Sequence, residues 1–149
     1  MTPDAARADA EGHGRATLCS EEASGLTVRE VVPVRMLGDG LVEVLRSPGI
    51  VTGCAAGDVV RIVDEDGRFI VTHRGPNECV QAYGSPQFTL KAIDVLSVLF
   101  ERAGGMVEAP AHRAYLVVTV PTSVGRAWIT DRMTEWCADF EATSWRFGT

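Results

Sequence analysis

The sequence predicts an α+β protein, and three observations carry that reading. Apolar residues alternate with a period of two between residues 28 and 74, and two later stretches shift to a period near 3.6. From residue 77 the elements follow the order strand, helix, strand, strand, helix, strand. The first pattern reads as a small antiparallel β-barrel-like half, the second as a ferredoxin-like (βαββαβ) half. The expected organisation is a disordered acidic tail over 1–25, a β-rich barrel-like half over 26–75 and a ferredoxin-like half over 76–149, the halves packed as one unit.

Residues 1–25 are rich in Ala, Gly, Ser and acids without sustained periodicity, which predicts disorder. "VREVVPVRML" then puts Val32, Val34 and Met36 on one face, "GDG" supplies turn residues, and "LVEVLRS" forms the second arm of a hairpin. "DVVRIVD" and "RFIVTHR" add two strands around an acidic "DEDG" turn. The stretch before them, "SPGIVTGCAAG", is rich in glycine, yet it leads into a strand and lacks a lysine. A phosphate loop needs its glycines to open a helix N-terminus, so this segment reads as a barrel corner.

In the second half "GPNECVQAYG" reads as a strand over 77–83, although Glu78 and Gln81 sit poorly in the central position this topology gives it. "TLKAIDVLSVLFERAGG" spaces Ile93, Leu96, Phe100 and Ala103 as a helix, with Thr89 as N-cap and Gly104 as the stop. "MVEAPA" is an edge strand, as its Pro110 permits, and "AYLVVTV" a central one. A second helix, capped by Thr122 or Ser123, places Ile129, Met133, Trp136, Cys137 and Phe140 on one face, and "TSWRF" closes the sheet.

Composition narrows the function. A chain of 149 residues with 46% hydrophobic content buries a real core. A net charge of −6 argues against a general nucleic-acid binder. No apolar run approaches the roughly 18 residues of a membrane span, and no secretory pattern opens the chain, so a cytoplasmic protein without membrane partners is expected. Cys19, Cys54, Cys79 and Cys137 lie far apart and the histidines are isolated, which predicts free thiols and neither a metal site nor a cofactor.

The order of motifs resembles a bacterial family of similar length, domain-of-unknown-function family 4265. The resemblance rests on the "GDG" hairpin at Gly38 to Gly40, on Pro48, and on the turn from Gly53 through Val59. Cys54 and Ala55 stand where that family usually has larger apolar residues. The resemblance spans 28–149 and brings no activity with it; it implies a bacterial origin and an association of such small proteins with polymorphic toxins, as immunity proteins.

Asp131, Glu135 and Asp139 recur every four residues along the second helix, with Trp128 one turn earlier. A solvated helix face explains such a stripe. An aromatic anchor beside acidic charge would also suit a basic protein partner, such as a toxin domain. The expected function is therefore a non-enzymatic immunity- or antitoxin-type inhibitor, with Trp128, Asp131, Glu135 and Asp139 as partner-binding residues. No catalytic residue is assigned, because no nucleophile, base and orienting group assemble from the sequence. Two alternatives stand beside it. One is a ligand sensor or enzyme using a cleft between the halves near His73, Arg74 and Tyr83; the other is a transcription factor of the swapped-hairpin kind, suggested by "GDVVRIVDEDGRFIV" and opposed by the acidic charge.

Overall fold

The computed structural model describes residues 11–140 and 143–149. Two antiparallel sheets divide the chain between them. The first is a five-stranded meander of β1 (His13–Glu21), β2 (Thr27–Gly38), β3 (Leu41–Val44), β4 (Val59–Ile62) and β5 (Phe69–His73), in that spatial order. The β2–β3 hairpin turns on Asp39 and Gly40, with φ of 55° and 76°, the pair of left-handed residues that a tight two-residue hairpin turn requires.

Two expectations are corrected here. Residues 13–21 are not tail: they form β1, paired with β2 from His13 opposite Arg35 to Glu21 opposite Thr27, and they bury Ala16, Leu18 and Cys19. The period-two signal was present, but small residues such as Gly14 and Ala16 carried it weakly within an acidic context. The rest of the predicted tail, residues 1–10, lies outside the described residues. Nor is the sheet a closed barrel, since β1 and β5 stand at its two edges. A backbone hydrogen bond from Cys19 N–H to the Gly67 carbonyl, 2.9 Å, joins β1 to the turn before β5.

The second sheet comprises β6 (Asn77–Gly84), β7 (Met106–Glu108), β8 (Tyr115–Pro121) and β9 (Thr143–Phe147), in the order β7-β8-β6-β9 and antiparallel throughout. Helices α1 (Leu90–Glu101) and α2 (Arg126–Asp139) share its core. Thr89 caps α1 as predicted, its hydroxyl accepting from Ala92 N–H at 3.1 Å. α2 starts later than predicted: Thr122–Val124 form one 3₁₀ turn, and Gly125, at φ +88°, precedes the α-helix.

Leu96 and Phe100 of α1 and Ile129, Met133 and Trp136 of α2 are buried against Val80, Ala82, Leu116, Val118 and Val120 of the sheet. Trp136 donates its indole N–H to the Ala92 carbonyl at 2.9 Å, and Phe100 meets Trp128 edge-on. These two contacts tie the start of α1 to the end of α2 and the reverse, so the helices run antiparallel. A second cluster of Ala16, Leu18, Val32, Val34, Val42, Val44, Val51 and Val60 fills the inner face of the first sheet. Among the described residues no helix is long and apolar enough to cross a membrane.

Candidate functional site

The two sheets meet on the loop of residues 45–58, between β3 and β4. Glu30 stands on β2 where the inward series Val28, Val32, Val34 is otherwise apolar, and its carboxylate accepts the backbone N–H groups of Gly49, Ile50 and Val51 at 2.9, 2.8 and 3.1 Å. The glycine-containing loop therefore does hold an anion, one supplied by the chain itself. At the other end of the loop Asp58 is fully buried. It accepts from Ala55 N–H at 2.9 Å, Gly75 N–H at 2.7 Å and the Arg74 guanidinium at 2.9 Å.

From the second sheet, Gln81 is fully buried and donates to the carbonyls of Pro48 and Val51 at 2.9 and 2.8 Å. Its own carbonyl accepts from Arg146 Nε at 2.8 Å and from the Tyr83 hydroxyl at 3.2 Å. This explains a polar residue in a central strand: the amide serves as the plug between the halves. Arg146 continues outward to Glu22 and to the Ile50 carbonyl. Thr119 donates to the Ser47 hydroxyl at 2.7 Å, and Gly53 N–H to the Gly148 carbonyl at 2.6 Å.

Beside this seam lies a groove of about 260 Å³ lined by Glu30, Arg46, Ser47, Gly49, Glu108 and Tyr115 among others. Arg46 and Glu108 pair across it at 3.4 Å. Gly49 is required there, since a Cβ would meet the Tyr115 ring 2.9 Å from Cδ2. Burial pushes the Tyr115 hydroxyl above its ordinary pKa, and the Glu30 carboxylate adds to the shift. The Cys54 and Cys79 thiols, buried in the same region, are also raised by desolvation, Cys79 to about 12. All four cysteines are unpaired.

The three residues expected near a cleft are not brought together, and of them Arg74 lines a hollow of about 530 Å³ beside Ser20, Thr52 and Gly53. His73 is exposed opposite Val59 at the end of β5, Arg74 is engaged by Asp58, and Tyr83 lies in the other sheet against Gln81. The predicted stripe is present as a surface: Asp131, Glu135 and Asp139 are exposed on α2, and Glu135 has Arg132 at 3.4 Å. Trp128 departs from expectation, because it is half-buried against Phe100 and carries the Arg132 guanidinium 5.6 Å above its ring. The acidic turn is likewise occupied, Arg68 reaching both Asp64 and Asp66 at 3.4 Å. Among the described residues no group of three His, Cys, Asp or Glu side chains is arranged to hold a metal.

Sequence reasoning missed Glu30, Asp58, Gln81 and Arg146. A signal existed for two of them. Glu30 interrupts an inward apolar series, and Gln81 interrupts a central strand; a polar residue at such a position demands buried partners.

A family model matches residues 30–145, that of DUF4265, a domain of unknown function. No curated protein matches the chain. A solved structure described as a novel crystal structure of a hypothetical protein from Neisseria gonorrhoeae is similar at 16% identity, with a TM-score of 0.66 over 90% of this chain and 92% of that one. At that identity the likeness concerns the fold.

Proposed function

Since the chain belongs to the DUF4265 family, whose description names no activity, we propose a function read from its own surface: a non-enzymatic binding protein of the bacterial cytoplasm, an immunity- or antitoxin-type inhibitor that docks a basic protein partner on α2. The observation that carries this reading is the exposure of Asp131, Glu135 and Asp139 on the same helix whose Ile129, Met133 and Trp136 are buried. Carboxylates so placed accelerate encounter with a cationic surface and repel acidic competitors. The buried polar groups add support. Gln81 and Arg146 are committed to bonds that join the halves, and Glu30 and Asp58 to bonds that hold the 45–58 loop in place, which is structural rather than chemical work. Trp128 contributes as a rigid support for Arg132 and not as a protruding anchor.

The strand order β7-β8-β6-β9 and the two helices in one core support a ferredoxin-like reading of the second half. The five-stranded meander supports a barrel-like reading of the first only in an open form.

The test first asks whether a neighbouring gene encodes a basic toxin domain, as this reading expects. Co-expression should relieve its toxicity, and the triple variant Asp131→Asn, Glu135→Gln, Asp139→Asn should associate more slowly at low salt, where screening is weakest. An unchanged association rate for the triple variant removes α2 as the docking element. A second reading, a small-ligand sensor, is favoured by the groove between the halves, where Arg46, Glu108 and Tyr115 offer both charges and a hydroxyl.

A further inference from the structure

An antiparallel sheet with one solvated face normally alternates apolar-in with polar-out. The outer face of the first sheet departs from that rule. The residues that point away from its core include Val31, Pro33, Leu41, Val59 and Ile70, and Val31 and Ile70 are 50% and 54% exposed. Cross-strand pairing places these aliphatic residues beside arginines: Arg15 lies opposite Pro33, and Arg61 lies between Leu41 and Ile70.

The charge of this face also runs against that of the chain. Arg35 is matched by Glu43 and Arg29 by Asp66 at 3.5 Å. Arg15 is exposed and has no carboxylate partner among the described residues. Arg61 donates to the Asp39 carbonyl at 2.6 Å and has no carboxylate partner among the described residues. At the rim a hollow of about 530 Å³ is lined by Arg15, Val31, Val32, Pro33, Leu45 and Arg46. A protein of net charge −6 thus presents one aliphatic face with an excess of positive charge.

We propose that the outer face of the β1–β5 sheet is a second docking surface, separate from α2, and that it takes an acidic protein segment carrying aliphatic side chains. Complementary charge comes from Arg15 and Arg61, and the apolar area from Val31, Pro33, Leu41 and Ile70. A nucleic acid fits less well. Single strands are held by aromatic stacking, and the outward positions of the five strands carry no Phe, Tyr or Trp, the Phe69 ring being packed against the inner cluster.

The test uses a fluorescein-labelled amphipathic peptide of Glu, Leu and Ala, and an oligothymidylate of equal charge, titrated with the full chain at low salt. The peptide should bind, should shift backbone amide resonances of Val31, Leu41 and Ile70, and should lose about tenfold or more in affinity with Arg15→Glu plus Arg61→Glu. Arg15→Gln alone, at an exposed position with no carboxylate partner among the described residues, keeps the fold and should weaken binding in the same direction. The α2 triple variant should bind the peptide as the parent does, which separates this surface from the proposed basic-partner site. Failure of the peptide to bind, binding indifferent to both arginine variants, or binding of the oligothymidylate alone each overturns the proposal.

Discussion

Glu22 accepts two hydrogen bonds from Arg146, at 2.6 and 3.0 Å, so a residue just beyond β1 is tied to the last strand of the chain. The pairing spans both sheets. It makes the segment that composition assigns to a loose tail a structural part of the seam.

Deleting residues 1–25 should therefore abolish cooperative folding. The deletion removes β1, exposes the inner face of β2 and eliminates Leu18, whose burial alone is worth about 2–5 kcal/mol relative to alanine. Circular dichroism melts of the truncated chain check this. A melting temperature close to that of the full chain would mean that β1 is dispensable.

The same pair sets a pH dependence. The hydrogen bond from Arg146 holds the Glu22 carboxyl below its ordinary value of 4.5. A group with a depressed native pKa binds more protons when unfolded, so its contribution is complete above 4.5 and disappears as pH falls through the lower native value. Glu22→Gln should flatten the acid limb of the stability curve below pH 4.5 while leaving its shape near neutrality unchanged. Urea denaturation from pH 3 to 7 gives the comparison.

Asp58 should be among the least replaceable polar residues. Asp58→Ala leaves the N–H groups of Ala55 and Gly75 without their acceptor and releases Arg74. The loss should be on the order of 3 kcal/mol, set by two orphaned backbone donors and not by the exposed arginine, which water re-solvates. Arg74→Ala should cost clearly less than Asp58→Ala in the same denaturant titration.

Much of the architecture was legible because it rests on local periodicity and turn chemistry. The Asp39–Gly40 turn, the Thr89 cap and the buried faces of α1 and α2 all follow from spacing. β1 was missed because Gly14, Ala16 and Ser20 gave little contrast between its faces, and its burial comes from pairing with β2. The seam was illegible for a different reason. Glu30 and the loop it binds are about twenty positions apart, Gln81 and Pro48 more than thirty, and no local rule names the partner of a buried polar group. The acidic stripe could be read as a helix face, whereas the burial of Trp128 depends on Phe100 of the other helix.

Thiol chemistry offers an independent check on burial. Cys19, Cys54 and Cys79 are buried, and desolvation raises the last two, whereas Cys137 is half-exposed. Ellman's reagent at pH 8 should therefore report one promptly reacting thiol, lost in Cys137→Ser, and the other three only after denaturation. Rapid native reaction of Cys79 would place the loop–sheet seam open to solvent.

The closest test of how the halves fit is Gly49. A Cβ added there would clash with the edge of the Tyr115 ring, so Gly49→Ala forces either the ring or the 45–58 loop to move, and the loop is held in place by three hydrogen bonds to Glu30. Overpacking of this kind costs about 1–3 kcal/mol when the neighbour cannot yield. Shortening the neighbour should relieve it: Gly49→Ala combined with Tyr115→Ser should be more stable, relative to Tyr115→Ser alone, than Gly49→Ala is relative to the parent. A double-mutant cycle by chemical denaturation measures that difference. Strict additivity would mean that the ring does not press on the loop, and that the groove between the sheets is wider in solution than the packing of Gly49 against Tyr115 requires.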